Sequence, residues 1–242
     1  MADPQPPAPE PKAAGLNDLS DDALGFGLLE LRTARDVVLR PRAVLEAWMT
    51  QGPTGGGHYA RPLRLYLALN AILMLMLFLQ GGSAMMLGGI PPEMMDPLIA
   101  ASGKSRDAFM GDADNWMSLV MVPVLSLFYA LGATPLLRWW DPDQLGWRRG
   151  FRAAFAWLNA LTVPLLPFAW WMYDGGVGAL IGNVALFFIA VTAFMRMGAG
   201  RWYSSPAVGL AKAVALWVTI QLVGGVGFLP VFVIGILAGR FA

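Results

Sequence analysis

His58 is the one histidine in this chain, and no cysteine accompanies it. A closed zinc site takes four nitrogen or sulfur ligands and cannot be assembled from that stock. No spacing pairs a nucleophile with a base. The glycine stretch GPTGGGH (Gly52–His58) lacks the lysine of a phosphate-binding loop, and nothing before it reads as a strand. Met85, Met86, Met94 and Met95 carry soft thioethers of the kind that bind Cu(I), although methionine more often fills space as an adaptable apolar residue. All 16 carboxylates fall in tails or connections, which weakens any proton-coupled transport reading, since that needs an acid within the membrane. A lipid-modifying enzyme would have to rest on Asp112 and Asp114. The expectation is a protein without catalytic residues, metal or cofactor.

What the chain does carry is positive charge beside apolar sequence. Arg35, Arg40, Arg42, Arg61, Arg64, Arg152 and Lys212 all flank apolar stretches. Near an anionic leaflet each such cation contributes about 1 kcal/mol of attraction to lipid phosphate. The competing role is anchoring, with the aliphatic stem in lipid and the charge in water. Within the apolar stretches stand Asn70, Asn159, Asn183 and Gln221, together with Ser126, Tyr129, Thr162, Thr192 and Thr219. Amides in hydrocarbon need partners, so the four amides are expected to hydrogen-bond between helices, with a polar ligand pathway as the alternative. The partners this implies are anionic lipids of the cytoplasmic leaflet and a second copy or another membrane protein, with no nucleic acid.

The elements that hold these residues are apolar runs. The chain is 57% hydrophobic and 14% charged, with 10 tryptophans, far from the balance of a soluble domain. Charge-free runs lie at Leu65–Pro92, Asn115–Leu137, Ala153–Tyr173, Gly175–Met195 and Ala213–Gly239. Each matches the roughly 20 residues that a helix needs to cross the hydrocarbon core. Backbone amides in lipid must pair internally, and no period-two alternation suggests a barrel, so the runs are helices. The fold class is all-α: a polytopic helical membrane protein with about five transmembrane helices and amphipathic N-terminal helices.

Basic residues are distributed unevenly about these runs. Lys12, Arg32, Arg35, Arg40, Arg42, Arg61 and Arg64 precede the first; Arg138, Arg148, Arg149 and Arg152 lie around the second connection; Arg196, Arg201 and Lys212 flank the fourth. Only Lys104, Arg106 and Arg240 fall on the other side. The positive-inside rule then places the N terminus in the cytoplasm and, with five spans, the C terminus outside a cell membrane (the inner one in a Gram-negative cell). No cleaved secretory signal is expected, because the first apolar run begins only near residue 62.

Three regions are predicted. Residues 1–15 form a proline- and alanine-rich disordered tail. Residues 16–61 form amphipathic helices in which Leu28, Leu31, Val38, Leu45 and Trp48 mark the apolar face. Pro41 should end one helix near Arg40 and open the next, and GPTGGGH should be a flexible joint. These helices either lie on anionic lipid or pack on the cytoplasmic ends of the spans. Residues 62–242 form the five-span domain. In its long outer connection, IPPEMMDPLIAASG is predicted to be a short helix that turns Met94, Met95, Leu98 and Ile99 toward lipid. DGGVG (Asp174–Gly178) is predicted to be a tight turn. Gly224, Gly225, Gly227 and Pro230 are expected to kink the last run, and a re-entrant end is an alternative.

A basic-Ala-x-x-x-Trp pattern occurs twice, at Arg152–Trp157 and Lys212–Trp217, sixty positions apart. It suggests two hairpins of the same orientation related by duplication, or else two independent pairs of snorkelling cation and tryptophan anchor. The stretches LRPRAVLEAWM…HYARPLRLYLALNAILM (Leu39–Met74) and MRMGAGRWYSSPAVGLAKAVAL (Met195–Leu216) resemble bacterial membrane proteins of unknown function related to the Yip family. The resemblance spans most of residues 36–225. It implies five spans, a cytoplasmic N terminus and partner-binding rather than catalytic roles. The chain departs from that pattern in lacking an N-terminal cysteine motif and in carrying Phe155 and Trp157 where many relatives have histidines. A membrane scaffold, or a bilayer- and partner-interacting protein, is therefore the expected function. A lipid or small-solute transporter or channel with a cavity between hairpins is the alternative.

Overall fold

The computed structural model describes residues 27–80, 87, 90–172 and 176–242. Among these there are eight α-helices and no strand. They are α1 (Leu28–Leu39), α2 (Pro41–Thr50), α3 (Pro62–Leu79), α4 (Pro92–Ser102), α5 (Arg106–Trp140), α6 (Trp147–Met172), α7 (Gly176–Gly198) and α8 (Pro206–Phe241). The predicted tail, Met85, Met86 and the start of the DGGVG turn lie outside the described residues.

Five of the helices, α3 and α5–α8, are long and apolar enough to span a bilayer. Their outer surfaces expose Phe78, Leu119, Leu180, Phe188, Leu222 and Leu229. A water-soluble protein rarely leaves so much apolar area uncovered. Exposed tryptophans gather near helix ends, with Trp139 and Trp147 at one level and Trp170 and Trp171 at the other, the distribution of an interfacial belt. The chain is a multi-pass membrane protein.

Helix α6 occupies the centre. It buries 61% of its apolar window, against 22–28% for the other four spans. Ala153, Ala154, Ala156 and Ala160 make this feasible, because small side chains let neighbouring backbones approach where lipid offers no hydrophobic drive. Helices α3, α5 and α7 pack around it, and α8 closes the bundle against α5 and α7. The α5–α8 seam uses glycine similarly: Gly227, Gly235 and Gly239 face Phe128, Met117 and Phe109. Of the glycines expected to kink the last run, Gly224 and Gly227 instead serve close packing, against Tyr129 and Phe128, while Gly225 faces open space. Helix α8 runs unbroken for 36 residues, with no re-entrant segment. At 1.5 Å per residue it extends about 54 Å, beyond a roughly 30 Å core.

Pro41 separates α1 from α2 as its rigid φ and missing N–H demand, with Arg40 at the break. Both helices pack on the ends of α6, α3 and α7 and form a cap there. Val37, Val44, Leu45 and Trp48 are buried in it. The expected apolar face is only partly right. Leu28 and Leu31 are 63% and 54% exposed, while Glu30, Thr33 and Asp36 point inward. The inward groups find partners, Glu30 on Arg64 of α3 and Thr33 on Ala60 N, which frees the leucines to face out. The GPTGGGH joint is a wound turn rather than an open linker. Gly52, Gly55, Gly56 and Gly57 all take positive φ, which costs glycine nothing. The turn closes where Trp48 Nε1 donates to the Ala60 carbonyl (3.1 Å) and Ala60 N donates to Thr33 Oγ1 (2.9 Å).

At the opposite end of the bundle, α4 forms as predicted but its orientation differs. Met95 and Ile99 are buried against Phe109 and Ile236, and only Met94 is fully exposed. Helix α5 begins nine residues before the charge-free run, at Arg106, capped by Ser105 Oγ. Its added turns carry Asp112, which pairs with Lys104 (2.6 Å).

Candidate functional site: a cavity among the five spans

The five spans do not meet perfectly. A cavity of about 240 Å³ lies between them, with every span contributing to its wall. Tyr66 and Asn70 come from α3, Ser126 and Tyr129 from α5, Trp157 and Thr162 from α6, Leu186 and Ala190 from α7, and Trp217 and Gln221 from α8. These residues lie about 6–22 Å from the capped ends of their helices at 1.5 Å per residue, so the cavity sits within the membrane's thickness. Gln221 is exposed and Asn70 half-buried, so these two wall residues are not sealed inside the bundle.

Large side chains keep the helices apart here. Trp217 stands edge-on to Phe187, with ring centroids 5.1 Å apart. Trp157 is fully buried and donates from Nε1 to the Ala190 carbonyl at 3.2 Å. Among the described residues, the indole N–H of Trp217 is buried without a hydrogen-bond partner. Thr162 satisfies itself on the Leu158 carbonyl (2.8 Å), and Asn70 on that of Tyr66 (2.8 Å). Among the described residues, no aspartate, glutamate, lysine, arginine or histidine lines the cavity. It therefore favours an uncharged occupant, because a charge there would go unpaired in a low dielectric. An unsatisfied buried donor costs about 1–3 kcal/mol, so an occupant with an oxygen acceptor at Trp217 would recover part of that cost.

Of the four amides singled out in the sequence, Asn70 and Gln221 reach this cavity. Asn159 makes the expected bond between helices, donating from Nδ2 to the Pro62 carbonyl at 2.8 Å. Asn183 instead returns to the Ala179 carbonyl of its own helix, as Asn70 does within α3. Tyr66 and the two tryptophans were not singled out as cavity residues. The repeated basic-Ala-x-x-x-Trp pattern was the available signal, since both of its tryptophans turn inward instead of anchoring at the interface.

The seven cations do not share a site. Arg152 Nη1 donates to the Trp48 carbonyl (3.4 Å) and Lys212 Nζ to that of Trp202 (2.6 Å). The two halves of the repeat thus make the same kind of bond. Lys212 also lies 5.4 Å from the Trp140 ring centroid. Arg64 pairs through Nε with the buried Glu30 (2.9 Å), which also accepts from Gly27 N. Arg35 pairs with Asp36 and Arg42 with Glu46. Arg40 and Arg61 are exposed. Beneath the cap, Arg201 grips the buried Asp141 and also reaches Asp143. Burial lowers the pKa of this guanidinium, but its bonds to the two carboxylates outweigh that and hold it above the ordinary arginine value.

Among the described residues, no group of three or more histidines, aspartates and glutamates could hold a metal ion. No family model, curated protein or solved structure matches the chain.

Proposed function

We propose that this chain is a non-enzymatic membrane protein that binds, and passes between helices, an uncharged and largely apolar small molecule such as a lipid fragment or neutral solute. The observation that carries this reading is the five-sided cavity, where among the described residues the Trp217 N–H has no partner and no charged side chain lines the wall. An engineered cavity of about 150 Å³ takes up benzene, so about 240 Å³ accommodates roughly ten non-hydrogen atoms. The positive-inside distribution supports a cytoplasmic N terminus and an external C terminus. The motifs at Leu39–Met74 and Met195–Leu216 are the basis for proposing kinship with Yip-related bacterial membrane proteins.

Absence of cysteine gives a direct test. A single cysteine at Ser126 should react with a neutral maleimide and resist a charged thiosulfonate, and a neutral occupant should slow the reaction. Failure of both reagents would indicate a closed bundle and remove the reading.

A second reading, as scaffold or bilayer-interaction protein, is favoured by the outward leucines of α1. Leu28, Leu29, Leu31 and Leu39 are all exposed beside Arg32 and Arg35, the composition of a helix lying against anionic lipid or a partner.

A further inference from the structure

A second cavity, about 230 Å³, lies outside the bundle where the α1–α2 elbow meets α6 and α7. Val37, Val38 and Pro41 form its elbow side, and Pro164, Phe188 and Ile189 its deeper wall. Phe188 is exposed, so the groove faces the surroundings of the bundle and not its interior. From Arg196 to Phe188 is eight residues of α7, or about 12 Å along the helix. Apart from Thr192, the groove is thus apolar over a length that matches the first part of an acyl chain, and it ends in a guanidinium.

That guanidinium is fixed in place. Arg196 Nη2 donates to the Leu39 carbonyl at 3.1 Å, which ties α7 to the elbow and leaves the other donors of the group exposed. The next residue after Leu39 is Arg40, also exposed. Neither arginine belongs to an ion pair among the described residues, whereas the neighbouring carboxylates Asp36 and Glu46 are held by Arg35 and Arg42. The elbow therefore presents net positive charge at the mouth of an apolar channel. Phosphate fits the charge and an alkyl chain fits the wall; free phosphate would use only the first.

We propose that this groove seats one anionic phospholipid, with its phosphate on Arg196 and Arg40 and one acyl chain along Pro164, Phe188 and Ile189. The site is separate from the cavity among the spans and does not depend on what fills it. Placing the elbow at the phosphate level also explains why α1 turns its leucines outward, because that face would then lie in the same leaflet.

The test uses the full-length protein in nanodiscs of phosphatidylcholine with and without phosphatidylglycerol, with retained lipid counted by native mass spectrometry. Wild type should retain phosphatidylglycerol preferentially. Arg196→Gln should reduce that preference about fivefold, and Arg196→Lys should restore most of it. Ile189→Trp, which fills the groove and leaves both cations in place, should lower retention of either lipid, and inorganic phosphate should displace neither. Equal retention by wild type and Arg196→Gln would overturn the site, as would displacement by inorganic phosphate. If Ile189→Trp changed the oligomeric state and not lipid retention, the groove would belong to a second copy and the proposal would fail.

Discussion

Arg201 closes on Asp141 with two hydrogen bonds, Nε to Oδ2 at 2.5 Å and Nη2 to Oδ1 at 3.0 Å, across sixty residues of chain. Trp202 Nε1 adds a third donor to the same carboxylate at 3.3 Å. The connection between α5 and α6 is thereby pinned to that between α7 and α8. Lys212 then donates to the Trp202 carbonyl, which extends the same cluster to the first turns of α8.

Asp141→Asn should be costly, because the Asp141 carboxylate is fully buried and the Arg201 side chain is only 18% exposed. Removing one partner of such a pair leaves the other charge uncompensated, about 2–4 kcal/mol allowing for the partial exposure of Arg201. For a chain of this size that is a fall in Tm of roughly 4–16 °C. Fluorescence-detected melting in detergent measures it, and a change near zero would show that the cluster is solvated. Arg201 itself contributes no alkaline sensitivity. Its pKa is raised in the folded state, so its contribution is complete below the ordinary arginine value and is lost only beyond it.

Thr33→Val tests how the cap is held. The Thr33 hydroxyl accepts from Ala60 N and donates to the Leu29 carbonyl (2.6 Å). Valine keeps the shape but leaves a buried backbone N–H unpaired, about 1–3 kcal/mol. The glycine turn should loosen first, because Trp48 closes it through the same residue, Ala60. Limited proteolysis near Gly52–Gly57 should speed up in the variant while the spans remain intact. Unchanged cleavage would mean that the turn is held from elsewhere.

The spans were legible because lipid imposes one dominant rule, that long charge-free runs become helices. Pro41 was legible for an equally local reason. The orientation of α1 was not. Its leucines satisfy a simple apolar pattern, yet Glu30 and Thr33 turn inward because Arg64 on α3 and Ala60 after the turn supply partners that periodicity cannot reveal. Similarly, Met95 and Ile99 turn away from lipid because Phe109 and Ile236 offer a packed surface. For the candidate site, Asn70 and Gln221 stood out as polar residues in apolar runs. Trp217 did not, since tryptophan near a basic residue reads as an interfacial anchor until its ring is seen to point inward.

Glycines on one helix should behave oppositely according to the face they occupy. A side chain at Gly239 would meet the Phe109 carbonyl at 3.0 Å, a backbone atom that cannot swing aside, whereas nothing lies within 4 Å of a Cβ at Gly225. Gly239→Leu should therefore open the α5–α8 seam at a cost of about 1–3 kcal/mol, and Gly225→Leu should leave stability unchanged. Melting of the two variants side by side decides the matter, and equal effects would refute the packing role.

Topology can be tested in the same cysteine-free background. Ala101, on α4, and Ser204, in the connection before α8, are both exposed. They lie at opposite ends of the five-span bundle. The arginines and lysines cluster on the Ser204 side, and the positive-inside rule assigns that side to the cytoplasm. On intact cells a membrane-impermeant maleimide should modify Ala101→Cys and spare Ser204→Cys until the membrane is permeabilised. Labelling of both positions in intact cells would contradict a five-span topology. The reverse pattern would keep the spans and invert the protein, moving the cap, the Arg196 groove and the proposed phospholipid to the outer leaflet.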